Sequence, residues 1–167
     1  MRLLKTTLLA FGLLISIASC SPEESSNDVT TDYQIDLNLA TETDWAMADE
    51  ILQLVNDYRV SIGLNTIKKD KQHASAHAVN HTKYMIEKSE INHDNFHYRT
   101  EALKSQGAEK VGENVAYGYN SAERVVTAWL NSPTHKRAIE GDYTHSGFGI
   151  IPANNGTYYF TQLFYKR

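Results

Sequence analysis

Cysteine is nearly absent from this chain: Cys20 stands alone, which excludes an intramolecular disulfide and leaves packing to hold the fold. Basic charge is not in excess. Lysine and arginine number 16 against 20 acidic residues, a formal net charge of −4. No basic patch interleaved with aromatics appears, so nucleic acid is not an expected partner. Proline occurs only three times, so element ends are read from glycine, asparagine and periodicity. The one long apolar run, Thr6 to Ala18, falls short of the ~20 residues that a membrane-spanning helix requires.

That run has the character of an export signal. Met1-Arg2-Leu3-Leu4-Lys5 places two positive charges before it, and it ends in Ile17-Ala18-Ser19-Cys20, small residues followed by a cysteine. The pattern resembles the lipobox of bacterial lipoproteins. It implies a signal peptide over 1–19, lipidation of the Cys20 thiol, and the membrane as a partner through that lipid. Each buried methylene contributes about 0.8 kcal/mol, so two or three acyl chains make a stable anchor. Residues 20–43 are expected to be a flexible tether, because Ser21-Pro22-Glu23-Glu24-Ser25-Ser26-Asn27-Asp28 lacks the apolar groups that offset ordering entropy. Its acidic residues resemble surface-export signals of some Gram-negative lipoproteins, or simply solvate a linker. The expected location is therefore the bacterial cell envelope, lipid-anchored and extracytoplasmic, with the outer-membrane or cell-surface leaflet left open.

Residues 44–167 are enough for one domain and too few for two. Asp44 reads as an N-cap, and Trp45, Ala48, Ile51, Leu52, Val55 and Tyr58 recur at helical spacing until Gly63. A second helix is expected from near Asp70, with Ala74, Ala78, His81 and Met85 on its apolar stripe. A short third runs from Arg99 to Ser105. Ser121 reads as the N-cap of a fourth, and Pro133 suits the first turn of a fifth, ending before Gly141. The C-terminal stretch is rich in aromatic and β-branched residues. Gly147 to Ile151 and Thr157 to Phe164, separated by Asn154-Asn155-Gly156, read as an antiparallel hairpin, with Val111 to Tyr117 as a further strand. The expected class is α/β: an α/β/α sandwich with a small, mostly antiparallel sheet.

Three stretches carry a resemblance. Ile91-Asn92-His93-Asp94 follows the second helix, and Gly112-Glu113-Asn114-Val115-Ala116-Tyr117-Gly118 forms a Gly-Glu-Asn motif. Trp129-Leu130-Asn131-Ser132-Pro133-Thr134-His135 comes third, with Gly147-Phe148-Gly149 and Tyr158-Tyr159-Phe160-Thr161-Gln162 after it. In this order they resemble the CAP superfamily (cysteine-rich secretory, antigen 5 and pathogenesis-related proteins), in its cysteine-poor bacterial SCP-like branch. The resemblance covers essentially everything from Trp45 onward. It implies a three-layer α/β/α fold whose central cleft is faced, in many members, by two histidines and two glutamates. Carried across, these are His93, His135 and Glu113. The second glutamate falls where this chain has Ser132, so only three of the four are kept. Asn114, Ser132 and His145 are expected to support the cleft.

Three functions stay open for such a site. His93 and His135 could hold zinc or another divalent metal beside the Glu113 carboxylate, although two protein ligands are fewer than the three usual for catalytic zinc. The same trio could do acid–base work as a peptidase-like hydrolase. It could also be a satisfied polar network beside a cleft that binds a lipid, glycan or protein ligand, or one that is vestigial in a structural or adhesive protein. Ser132 reads as part of a capping turn before Pro133 rather than as a nucleophile. His73, His77 and His81 share one helix face, with His81 expected in the core and the other two near the surface. His97 and His145 are expected at loops or the rim. Tyr117, Tyr119, Tyr158, Tyr159 and Tyr165 either form an aromatic wall or alternate between core and solvent.

Overall fold

The computed structural model describes residues 33–167; the expected signal, the Cys20 anchor and the start of the tether lie outside the described residues. Five helices and four strands follow one another as α1 (Trp45–Ser61), β1 (Lys68–Lys69), α2 (His73–Lys88), α3 (Phe96–Ser105), β2 (Lys110–Tyr117), α4 (Ala122–Asn131), α5 (Pro133–Ile139), β3 (His145–Pro152) and β4 (Tyr158–Lys166). The strands form one mixed sheet in the order β1-β3-β4-β2. Only β1 runs parallel to its neighbour; β3 with β4 and β4 with β2 are antiparallel. No helix among the described residues is long and apolar enough to cross a membrane.

The expected helix starts are met by real caps. Asp44 Oδ1 accepts from Met47 N at 3.1 Å and Ser121 Oγ from Arg124 N at 3.3 Å, each satisfying one of the donors that a helix N-terminus leaves unpaired. The hairpin turn is closed by Ala153 N donating to Thr157 O and by Gly156 at a φ of +80°, a conformation that glycine adopts without a Cβ penalty.

Strand alternation divides the helices between two faces. Along β3, Gly147 and Gly149 turn toward α2, and the absence of a side chain lets the α2 backbone lie directly on the strand at Ala74 and Ala78. Leu163 and Tyr165 of β4 extend that face, against Leu103 of α3. On the opposite face Phe148, Ile150, Phe160 and Phe164 pack against Ile51 and Val55 of α1 and Val125 and Trp129 of α4. A fully buried phenylalanine contributes roughly 1.5–3 kcal/mol, comparable to the ~2–4 kcal/mol of one disulfide. Phe148, Phe160 and Phe164, each fully buried, therefore take the place that crosslinks hold in small secreted domains.

The ordered domain starts earlier than expected. Leu37–Glu42 form a 3-10 turn capped by Asp36, and Ala40 and Thr43 are buried. Thr43 Oγ1 donates to Phe148 O at 2.8 Å and accepts from Ile150 N at 2.9 Å, while Asp44 N donates to Ile150 O. These contacts satisfy the edge of β3 just beyond the two-residue β1, which would otherwise present unpaired backbone groups. Residues 36–43 thus belong to the fold and not to the tether expected to run to residue 43.

Candidate functional site

The Gly-Glu-Asn motif sits on β2, an edge strand, and the pleat sends its two polar side chains to opposite faces. At Gly112 a Cβ would lie 2.4 Å from Tyr143 Oη, so a larger residue would have to displace the Tyr143 ring. Glu113 turns toward α3 and its side chain is 1% exposed. Its Oε2 accepts from Arg99 Nε at 2.7 Å, and its Oε1 accepts from Arg99 Nη2 at 2.8 Å and from His93 Nδ1 at 2.7 Å. Arg99, also buried, donates through Nη1 to Asp94 O at 2.7 Å, which ties down the loop that carries His93. Burial pushes the Glu113 pKa up, but the hydrogen bonds from His93 and Arg99 and the Arg99 charge outweigh it, so the carboxyl lies below the ordinary glutamate range. An ionised carboxylate only accepts hydrogen bonds. His93 Nδ1 therefore carries the proton, and its Nε2 points away from Glu113 on a ring about half exposed.

Asn114 turns the other way. Its Nδ2 donates to His135 O at 3.1 Å, clipping β2 to α5. His135 is half-buried, and its Nδ1 lies 2.8 Å from Ser132 Oγ. Ser132 does occupy the N-cap position of α5, yet it makes no side-chain cap bond; its hydroxyl is taken by His135 instead. Burial, and then the charge of His93, lower the His135 pKa, so the imidazole is neutral at neutral pH.

The trio that the resemblance groups is therefore two pairs. His93 and Glu113 are joined with Arg99, His135 is joined with Ser132, and the described interactions include no hydrogen bond between the pairs. Beside His135 lies a cavity of about 220 Å³ lined by Ser132 together with Ile91, Val115, Tyr117, Tyr119 and Trp129. Trp129 Nε1 donates to Val115 O at 3.1 Å, fixing the floor. Ile91 and Tyr117 stand exposed at the mouth, with Tyr117 against Tyr159 at 4.7 Å between ring centroids. Of the expected aromatic wall, Tyr117 and Tyr119 face the cavity; Tyr158 and Tyr165 are held by Asp44 and Asp70 elsewhere.

Other expectations need correction. His145 does not border this cavity: it opens β3 beside β1, its ring stacked on Tyr165 at 5.0 Å and its Nδ1 beside Thr144 Oγ1. His77 is not near the surface but 3% exposed, because α3 closes over that side of α2. His81 is buried as expected, with Nε2 on Asn92 O at 2.9 Å. Arg99, which with Phe96 also fits the family's region before the Gly-Glu-Asn motif, has a role that the resemblance did not assign, pairing with Glu113. A glutamate predicted on a strand beside an apolar layer was the available signal, since a buried carboxylate needs a cation.

A metal finds little support in this donor set. Both Glu113 oxygens are engaged by Arg99 and His93, which leaves His93 Nε2 and His135 Nε2 as the remaining donors of the cluster. Among the described residues no group of three or more His, Cys, Asp or Glu side chains is placed to hold an ion. Two imidazoles do not fit a resident three-ligand site.

Comparison with known proteins places these features. The model of the cysteine-rich secretory protein family (CAP) matches residues 52–164. The chain is 35% identical over 125 residues to YlbC, an uncharacterised membrane protein of Bacillus subtilis (strain 168), covering 71% of this chain and 34% of that one. It is 30% identical over 115 residues to the uncharacterised protein YkwD of the same organism, covering 66% and 44%. The chain thus spans less than half the length of these curated relatives. Among solved structures, an outer surface protein from Borrelia burgdorferi superposes with a TM-score of 0.65 at 26% identity, covering 73% of this chain and 93% of that one. An extracellular protein containing an SCP domain from Bacillus anthracis str. Ames shares the fold at a TM-score of 0.59 and 24% identity, covering 71% and 40%. With the family model, the curated relatives and the fold in agreement, the chain belongs to the cysteine-rich secretory protein family.

Proposed function

We propose that this is an extracytoplasmic CAP-domain protein, tethered to the envelope by lipid on Cys20, whose Ser132–His135 cavity binds a small, mainly apolar ligand bearing one hydrogen-bonding group. The observation that carries this reading is the division of the site. The carboxylate is locked by Arg99 and His93, whereas the adjoining cavity offers a largely apolar, aromatic lining whose polar groups are Ser132, His135 and the hydroxyls of Tyr117 and Tyr119. Few polar groups in an apolar concavity is the usual makeup of a small-molecule site. An open groove of about 520 Å³ shares Tyr119 and Ala128 with the cavity, giving a longer ligand room to extend along α4. The outer surface designation of the Borrelia burgdorferi protein and the membrane designation of YlbC support the envelope address.

Titration with the neutral fluorescent probe N-phenyl-1-naphthylamine tests this. Saturable binding is expected, with Ala128→Phe, which fills the cavity from α4, weakening it tenfold or more at an unchanged melting temperature. His135→Ala removes one hydrogen bond, about 0.5–1.5 kcal/mol, and is expected to weaken binding by roughly 2- to 13-fold. Chelation with EDTA leaves the affinity unchanged. Non-saturable binding, or equal affinity in Ala128→Phe, contradicts the reading.

The 2.8 Å contact between Ser132 Oγ and His135 Nδ1 favours a second reading, acyl-group hydrolysis with Ser132 as nucleophile. It lacks the carboxylate that orients the base in such sites, since Glu113 is committed to Arg99. A fluorophosphonate probe is expected to leave Ser132 unlabelled. Labelling that disappears in Ser132→Ala would replace the binding account with the hydrolytic one.

A further inference from the structure

A second pocket lies between α2 and α3, and none of its residues is shared with the Ser132–His135 cavity. His77, Asn80, His81 and Tyr84 recur at helical spacing along one side of α2, and Asn95 and Tyr98 face them from the start of α3. Together with Arg99 they enclose about 290 Å³, near the lower end of the ~300–1,000 Å³ of small-molecule sites.

Three observations define what it would hold. First, His77 is 3% exposed yet makes no hydrogen bond to any described residue, and its ring has only an edge contact with Tyr98 at 6.3 Å. The His77 ring nitrogens are not sealed off but open to the pocket, where a ligand or water completes their hydrogen bonds. Second, the lining carries little free charge. Arg99 is committed to Glu113 and Asp94 O, and Tyr84 Oη donates to Asp94 Oδ2 at 2.8 Å, with Lys88 Nζ over the Tyr84 ring. Burial pushes His77 down to about 4, so its imidazole is neutral. Third, the remaining polar groups are Asn80, Asn95 and His77, each offering both a donor and an acceptor, with His81 keeping only Nδ1 because its Nε2 donates to Asn92 O; Asn95 is held at a φ of +57° without capping α3. Tyr98, 38% exposed, adds an apolar ring face, whereas the Tyr84 ring is already stacked on His81 and faced by Lys88.

We propose that this pocket binds a neutral saccharide, one sugar ring stacking on Tyr98 while its hydroxyls pair with His77 and the two asparagine amides. Hydroxyls, like amides, donate and accept together, and a ring with polar edges and apolar faces matches the lining. Arg99 is already committed to Glu113, so inside the lining an ionised ligand would exchange its hydration for neutral groups, with Lys88 reaching only the Tyr84 ring.

The test is an NMR titration of the intact protein with cellobiose, maltose and N,N′-diacetylchitobiose, with glucuronate as the charged comparator. At least one neutral disaccharide is expected to give saturable shifts at His77, Asn95 and Tyr98. Tyr98→Ala, at a side chain 38% exposed, is expected to weaken binding at least tenfold, and Asn80→Ala, at an exposed site, at least threefold. Ala128→Phe, which blocks the other cavity, leaves saccharide binding unchanged, so this inference and the preceding one fail separately. Shifts confined to Ile91 and His135, binding of glucuronate alone, unchanged affinity in Tyr98→Ala, or no response to any disaccharide overturns the proposal.

Discussion

Replacing Arg99 with methionine is expected to destabilise the domain by about 3–5 kcal/mol, because it strands a buried carboxylate. Arg99 supplies two of the three hydrogen bonds to Glu113 and closes the His93 loop through Asp94 O. Without it, only the half-exposed His93 would offset a side chain that is 1% exposed. At roughly 3 °C per kcal/mol for a domain of this size, the melting temperature should fall by about 10–15 °C. A double-mutant cycle isolates the cause. Adding Glu113→Leu to Arg99→Met removes the stranded charge, so the double variant should be more stable than Arg99→Met alone. Equal or lower stability in the double variant would mean that Arg99 acts by holding the loop and not by neutralising Glu113.

A comparable loss is expected from the smallest change available on β3, Gly149→Ala. The added Cβ would lie 2.4 Å from the carbonyl carbon and oxygen of Ala78 and 2.6 Å from Val79 N. These are backbone atoms of a helix, so relief requires α2 to lift from the sheet rather than a side chain to swing aside. Overpacking costs typically ~1–3 kcal/mol, and a contact with helix backbone belongs at the upper end, about 3 kcal/mol. Urea denaturation measures it as a lower midpoint with an unchanged slope. An unchanged midpoint would show that α2 does not rest on Gly149.

How far the fold and the site could be read in advance depended on the range of the interactions that make them. Helices with a local cap and periodic apolar positions were legible: Asp44 and Ser121 cap where expected, and Ala48, Ile51 and Val55 are buried where their spacing puts them. The hairpin was legible from Asn154-Asn155-Gly156 and its flanking aromatics. Long-range pairing was not. Thr43 looked like the end of a polar tether because its partners, Phe148 and Ile150, lie over a hundred residues away. Ser132 looked like a cap because Ser-Pro commonly is one, while its hydroxyl had a closer competitor in His135.

The candidate site shows the same division. Motif resemblance identified His93, Glu113, Asn114 and His135, and the structure holds them near β2. It did not convey that Glu113 and Asn114, as consecutive strand residues, must face opposite sides of the sheet. That alternation gives Glu113 to Arg99 and His93 and sends Asn114 to the His135 backbone. His77 was misplaced for a related reason. Helical periodicity defines which residues share a face, but only the docking of α3 decides that the face carrying His77 is covered.

The central claim is that Glu113 is an ionised anchor of the site and not its proton-transferring group. Its lowered folded-state pKa means that its contribution to stability is present in full above the ordinary glutamate range and is lost as pH falls through that lowered value. The most direct measurement is a pH titration of the Glu113 side-chain carboxyl by carbon-13 NMR, assigned with Glu113→Gln. The account predicts a carboxylate that stays ionised from neutral pH to below the ordinary glutamate midpoint, and that shifts upward in Arg99→Met. A midpoint above the ordinary range, approaching neutrality, would contradict it and make Glu113 a general acid or base.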